Sequence, residues 1–163
     1  MRLNDPELVR RQYAQEHGLA VRRDSQLRFR EGPDAFDVAF EAVAEAEPRR
    51  VLEVGCGMGN FAERVARTTS ADVVATDLSP RMVEIARERG LDARVADVEE
   101  LPFEDGEFDC AVANAMLYHV ENLDRALVEL KRVLGPSGRL VAVTISAEHM
   151  AELLAAQGEL EEA

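Results

Sequence analysis

The sequence predicts a doubly wound α/β fold: a mostly parallel sheet of about five strands, helices on both faces, and a helical extension at the N-terminus. Three observations carry that reading. Five short runs rich in Val and Ala, each closed by a turn residue or a charge, follow one another from residue 50 onward. Segments with apolar residues at helical spacing alternate with them. Most of the runs are apolar on both sides, as a strand sandwiched between two helical layers requires.

In chain order, the first element is a helix that Asp5 caps and Pro6 opens, with Leu8, Val9 and Tyr13 on one face and Gly18 at its end. A loop bearing Arg22, Arg23, Arg28 and Arg30 leads to a second helix after Gly32 and Pro33. There Phe36, Ala39, Phe40 and Val43 recur at helical spacing, and Pro48 stops the run. Residues 1–48 thus form the extension and 49–146 the core. The strands are "RVLEVG", "ADVVATD", "LDARVAD", "FDCAVANA" and "GRLVAVTIS". A helix opens at Asn60 after the first of them. In "LSPRMVEIARERG", Ser79 caps, Pro80 starts, Met82, Ile85 and Ala86 face inward, and Gly90 stops. Residues 122–134 form another amphipathic helix, with Leu123, Ala126, Leu127, Leu130, Val133 and Leu134 on one stripe before Gly135 and Pro136. Residues 147–163 read as a short helix, "AEHMAELLAAQG", and an acidic tail.

Bulk properties narrow the function. At 163 residues the chain suits a single domain. A formal charge of -13, from 32 Asp and Glu against 19 Lys and Arg, argues against a nucleic-acid groove, which phosphate neutralisation would have to supply. The start "MRLNDPELVRR" lacks the apolar middle of a signal peptide, and no apolar run approaches the ~20 residues that span a bilayer. A cytoplasmic protein without a membrane partner is expected. Cys56 and Cys110 stand apart, with no CxxC and no histidine at zinc-ligand spacing, so neither a disulfide framework nor a metal site is expected.

The chemistry concentrates in "VLEVGCGMGNF", Val51 to Phe61. In a doubly wound sheet, ligands bind beyond the carboxyl ends of the strands where strand order reverses, normally at the first strand's turn. Glycines there let the main chain approach a nucleotide-like cofactor closely, although a tight strand-to-helix turn also uses them for packing alone. A dinucleotide fingerprint reads G-x-G-x-x-G. Here the third glycine comes one position early, giving Gly55, Gly57 and Gly59, with Asn60 where the last glycine would stand.

"LEVGCGMGNF" resembles motif I of the class I S-adenosylmethionine-dependent methyltransferases, E/D-x-G-x-G-x-G, the acid being Glu53. The resemblance implies a Rossmann-like fold and S-adenosyl-L-methionine as cofactor. "VVATDLSPRMVEIARERG" resembles that family's second strand and helix, so Asp77 would hold both ribose hydroxyls; the plainer role is an acid before the Ser79 cap. "ARVADVEELPFEDGEFDCAVANAMLYHV" resembles its third and fourth strands. Asp97 and Val98 then fall at the adenine, and Asn114 faces the methionine portion. By the same resemblance the cofactor surface includes Cys56, Leu78 and Met82. "NAML" after the fourth strand departs from the N/D-P-P-Y/F of adenine and aminopyrimidine DNA methyltransferases, which leaves a small-molecule acceptor.

Methyl transfer from a sulfonium is an in-line displacement governed by alignment, worth ~7 to 11 kcal/mol, and a general base helps only when the acceptor must lose a proton. Tyr118 and His119 are the catalytic candidates, their plainer role being to position the following helix. Tyr13 either covers the sulfonium or lies on an apolar helix face. Family members continue after strand five with a helix and a hairpin, whereas only residues 147–163 follow here. Strand five is therefore expected to be an edge, covered by the C-terminal helix or by a second copy in a homodimer, or left bare because this chain is a shortened form of a larger enzyme. Two other readings stand beside methyl transfer: a nicotinamide-dependent oxidoreductase, and a cofactor-binding module lacking the acceptor half.

Overall fold

The structure, a computed structural model, describes residues 33–144. The helix expected from Asp5 to Gly18 with Tyr13, the arginine-bearing loop, and the C-terminal helix and tail lie outside the described residues. The first described element is α1 (Ala35–Glu45), whose N-terminus Asp34 caps by accepting the Phe36 N–H at 2.9 Å. It buries Ala39 and Val43, and Phe40 meets the edge of Phe61 at 6.5 Å.

Then follow β1 (Arg50–Val54), α2 (Asn60–Thr68), β2 (Asp72–Asp77), α3 (Pro80–Glu88), β3 (Asp92–Val95) and β4 (Phe108–Asn114). A 3-10 turn (Leu117–His119), α4 (Leu123–Val133) and β5 (Leu134–Val143) complete the described chain. All strand pairs are parallel, in the order β3-β2-β1-β4-β5. The chain winds outward from β1 through β2 to β3, then returns to place β4 on the other side of β1. The reversal point lies between β1 and β4, where Glu53 is opposite Val112.

The central strands are apolar because both sheet faces are covered. On one face Val51, Val73, Ala75 and Val112 pack against α1, α2 and α3 through Val43, Val65 and Val83. On the other, Leu52, Val54, Val74 and Ala111 pack against Ala126, Leu130 and Val133 of α4. Each fully buried aliphatic side chain contributes about 1.5–3 kcal/mol. Leu101 and Phe103 close this second core, and Phe103 stands edge-on to Phe108 at 5.0 Å. Arg132 of α4 pins that connection: it donates to the carbonyls of Leu101 (3.0 Å) and Phe103 (2.8 Å) and to Asp105 and Glu129.

Three sequence expectations need correction. In α3 the fully buried residues are Met82, Val83 and Ala86, while Ile85 lies at the shoulder. In α4 the buried stripe is only Ala126, Leu130 and Val133; Leu123 and Leu127 are 44% and 39% exposed. Strand five begins at Leu134, not Gly138, because Leu134 already pairs with Phe108 and the register shift before Cys110 absorbs the Gly-Pro-Ser-Gly stretch. Among the described residues no helix is long and apolar enough to cross a membrane.

Candidate functional site

The turn after β1 holds Gly55, Gly57 and Gly59 in left-handed conformations, φ +63°, +54° and +77°. Their surroundings differ. A Cβ at Gly59 would come within 2.6 Å of Leu91 Cδ1 and 3.1 Å of Ala86 Cβ, so that glycine lets α2 pack against α3 and the turn after it. A Cβ at Gly55 would meet Met116 at 2.8 Å. Among the described residues a Cβ at Gly57 would meet nothing within 4 Å, so the middle of the turn has room for backbone to approach a ligand.

Asp77, at the carboxyl end of β2, anchors this turn. Its Oδ2 accepts the Gly57 N–H at 2.9 Å and its Oδ1 accepts the Ser79 N–H at 2.8 Å. Burial pushes its carboxyl above the usual range, and those two N–H groups oppose the shift. The Cys56 N–H donates to the Thr76 carbonyl at 2.9 Å, a second tie between turn and β2.

Beneath the turn, Glu53 of β1 and Asn114 of β4 are buried, 3% and 8% exposed. Asn114 Nδ2 donates to Glu53 Oε1 at 3.5 Å, while Glu53 Oε2 and Asn114 Oδ1 have no hydrogen-bond partner among the described residues. Burial raises the Glu53 carboxyl to about 8, with the neighbouring Asp77 adding to the rise and Asn114 and the Ala62 backbone N–H opposing it. The Cys56 thiol is buried and held neutral by its burial and by Glu53 and Asp77, so it is no nucleophile.

Of the other candidates, Leu78 is 47% exposed beside Asp77. Met82 is fully buried, so packing within α3, not ligand contact, accounts for it. Asp97 is exposed and lies past the end of β3, its Oδ1 accepting the Glu99 N–H at 2.9 Å; the Val98 side chain belongs to the second core. Tyr118 and His119 sit in the 3-10 turn ahead of α4, ring centroids 4.3 Å apart, and the His119 N–H donates to the Met116 carbonyl at 2.9 Å. The structure therefore joins Glu53 to Asn114 and Gly57 to Asp77, and places Tyr118 and His119 just beyond Asn114.

The sequence reading left Ala115 and Met116 without a role. Ala115 has φ +53°, a conformation that costs a side-chain-bearing residue roughly 1–2 kcal/mol. That kink brings Met116 over Gly55 and is the kind of backbone strain that gathers at functional sites. Nothing in "NAML" signals it. An open acidic hollow of about 520 Å³, lined by Glu99, Glu121, Asn122, Leu123 and Asp124, shares no residue with this constellation.

Comparisons with known proteins identify the family. A ubiquinone biosynthesis O-methyltransferase of Xanthomonas oryzae is 40% identical over 116 residues, 67% of this chain and 48% of that protein. A demethylmenaquinone methyltransferase of Thermus thermophilus is 38% identical over 112 residues, 64% of this chain and 51% of that protein. A solved S-adenosylmethionine-dependent methyltransferase of Thermotoga maritima superposes with a TM-score of 0.60 at 31% identity, covering 78% of this chain and 58% of that one. The chain spans about a third to a half of the length of the curated relatives it matches, from 32% to 51%. Residues 52–142 match the methyltransferase domain family, over half of the chain, and the chain belongs to that family.

Proposed function

We propose that this chain binds S-adenosylmethionine across the carboxyl ends of β1, β2 and β4 and transfers its methyl group to a small-molecule acceptor. The observation that supports this most is the buried Glu53–Asn114 pair under an open glycine turn: two acceptor oxygens, Oε2 and Oδ1, lack a donor among the described residues. A cationic ligand rich in N–H groups supplies what they need. The rest of the site fits the same ligand. Asp77 has used one lone pair on each oxygen for Gly57 and Ser79, leaving the others for a pair of vicinal hydroxyls. Leu78 offers exposed apolar surface beside it, exposed Asp97 can accept an exocyclic amine, and Val98 takes part through its backbone.

When bound, the cofactor supplies an electrophilic methyl group on a sulfonium. The chain's own residues then have to align the acceptor with it, an orientation effect of ~7 to 11 kcal/mol. We assign His119, with the Tyr118 ring beside it, the role of taking a proton from a hydroxyl or amine acceptor, worth ~10² to 10⁴ in rate. The quinone-biosynthesis methyltransferases among the relatives support small-molecule acceptors. The edge of β5 suits pairing with a second copy, and the two isolated thiols suit a reducing, cytoplasmic setting.

Calorimetric titration with S-adenosylmethionine and, separately, with NAD tests the cofactor; binding of NAD alone overturns the reading. Transfer of an isotopically labelled methyl group across hydroxylated and amine acceptors tests the reaction. Cofactor binding without turnover on any of them would leave a binding module in place of an enzyme.

A further inference from the structure

The Glu53–Asn114 pair carries an inference beyond cofactor recognition. Glu53 is almost wholly buried, its side-chain contact with Asn114 is a long 3.5 Å bond from a neutral amide, and Oε2 has no hydrogen-bond partner among the described residues. An ionised carboxylate so poorly solvated costs several kcal/mol, which a buried acid avoids by staying protonated. Protonation also answers the chemistry of the two orphans together: the acid gains an O–H to donate, and Asn114 Oδ1 is an acceptor lacking a donor. We propose that Glu53 is protonated in the empty site and gives up that proton when the cofactor's cationic group lodges against it, so that ligand capture releases a proton and strengthens with rising pH. This rests on the cofactor reading above.

The groups facing Glu53 leave it as the exchanging site. From β2 comes Asp77, an acid whose charge also favours the protonated form; from β4 the Asn114 amide; from α2 the backbone N–H of Ala62. The Cys56 thiol in the turn is held neutral by burial. Among the described residues no cation acts on Glu53, and burial lifts its carboxyl to about 8, above neutrality. A cationic ligand therefore brings the first favourable charge that this carboxylate meets. The O–H bond breaks, the electron pair stays on Oε2, and the proton passes to solvent.

The test is calorimetric titration of the chain with S-adenosylhomocysteine, which keeps the ammonium group, at about pH 6 and about pH 7.5, each in two buffers of different ionisation heat. About one proton released per ligand is expected, with affinity rising about tenfold per pH unit over that range. In Glu53→Gln, an uncharged near-isostere, the proton release and the pH slope should both vanish. Infrared difference spectra of the unaltered chain give a readout that needs no variant: the carbonyl band of a protonated carboxyl should be lost on ligand binding. Tight binding with no proton release, or a linkage that survives in Glu53→Gln, would overturn the proposal while leaving the cofactor reading intact. Failure to bind at either pH would overturn both.

Discussion

Glu53 illustrates how one residue can serve a site at the expense of the fold. Its folded carboxyl, near 8 against an ordinary 4.5, holds a proton that the unfolded chain has lost between those values. The stability that Glu53 itself contributes is therefore fully present below about 4.5 and is lost as pH rises toward about 8. Urea denaturation without ligand should show that loss, on the order of 1 kcal/mol per pH unit, and Glu53→Gln should flatten it; a steeper slope in the variant would contradict the assignment. The glycines separate in the same way. Gly59→Ala drives a Cβ into Leu91 and should lower the melting point markedly, by about 2–3 kcal/mol of strain and overpacking. Gly57→Ala meets no neighbour, so its fold cost should stay near 1–2 kcal/mol while cofactor affinity falls at least tenfold; equal effects of the two on affinity would remove the distinction. Glu53, Asp77 and the glycines were legible because their spacing after a strand has few explanations. Ala115 was not, since its left-handed turn runs against alanine's own preference and is imposed by the tertiary fold.

Among the elements, the connection from β3 to β4 depends on one side chain of α4. Arg132 closes hydrogen bonds to two carbonyls and two carboxylates, and Gly106 N–H returns to its own carbonyl at 2.9 Å. Arg132→Ala should cost about 2–3 kcal/mol by leaving those acceptors unmatched, and should raise hydrogen exchange around Leu101 and Phe103 more than in β1 or β2. Uniform exchange across the sheet would show that Arg132 is not the anchor. The strands and helices were read with their order intact because the apolar period switches between them. Finer details escaped. Periodicity cannot tell which edge of a helical stripe is covered, hence exposed Leu123 and Leu127, and Gly-Pro-Ser-Gly reads as a break although Leu134 already pairs before it and the ladder resumes at Arg139.

For the molecule as a whole, the charge of -13 sets a background of self-repulsion against which every contact works. Raising salt from about 0.01 M to about 0.15 M shortens the screening length from about 30 Å to about 8 Å, and the thermal midpoint should climb, by about 2–4 °C for each kcal/mol gained. A midpoint that falls with salt would mean that surface ion pairs outweigh the repulsion. Sedimentation of the unaltered chain should show whether two copies join at β5; a monomer at every concentration would rule that pairing out. The strand order has a consequence during synthesis. Glu53 waits for an amide sixty-one residues downstream, and β1 keeps one flank bare until β4 slides in beside it. A nascent chain stalled on the ribosome before Asn114 emerges should therefore be unable to retain ligand, however complete its glycine loop.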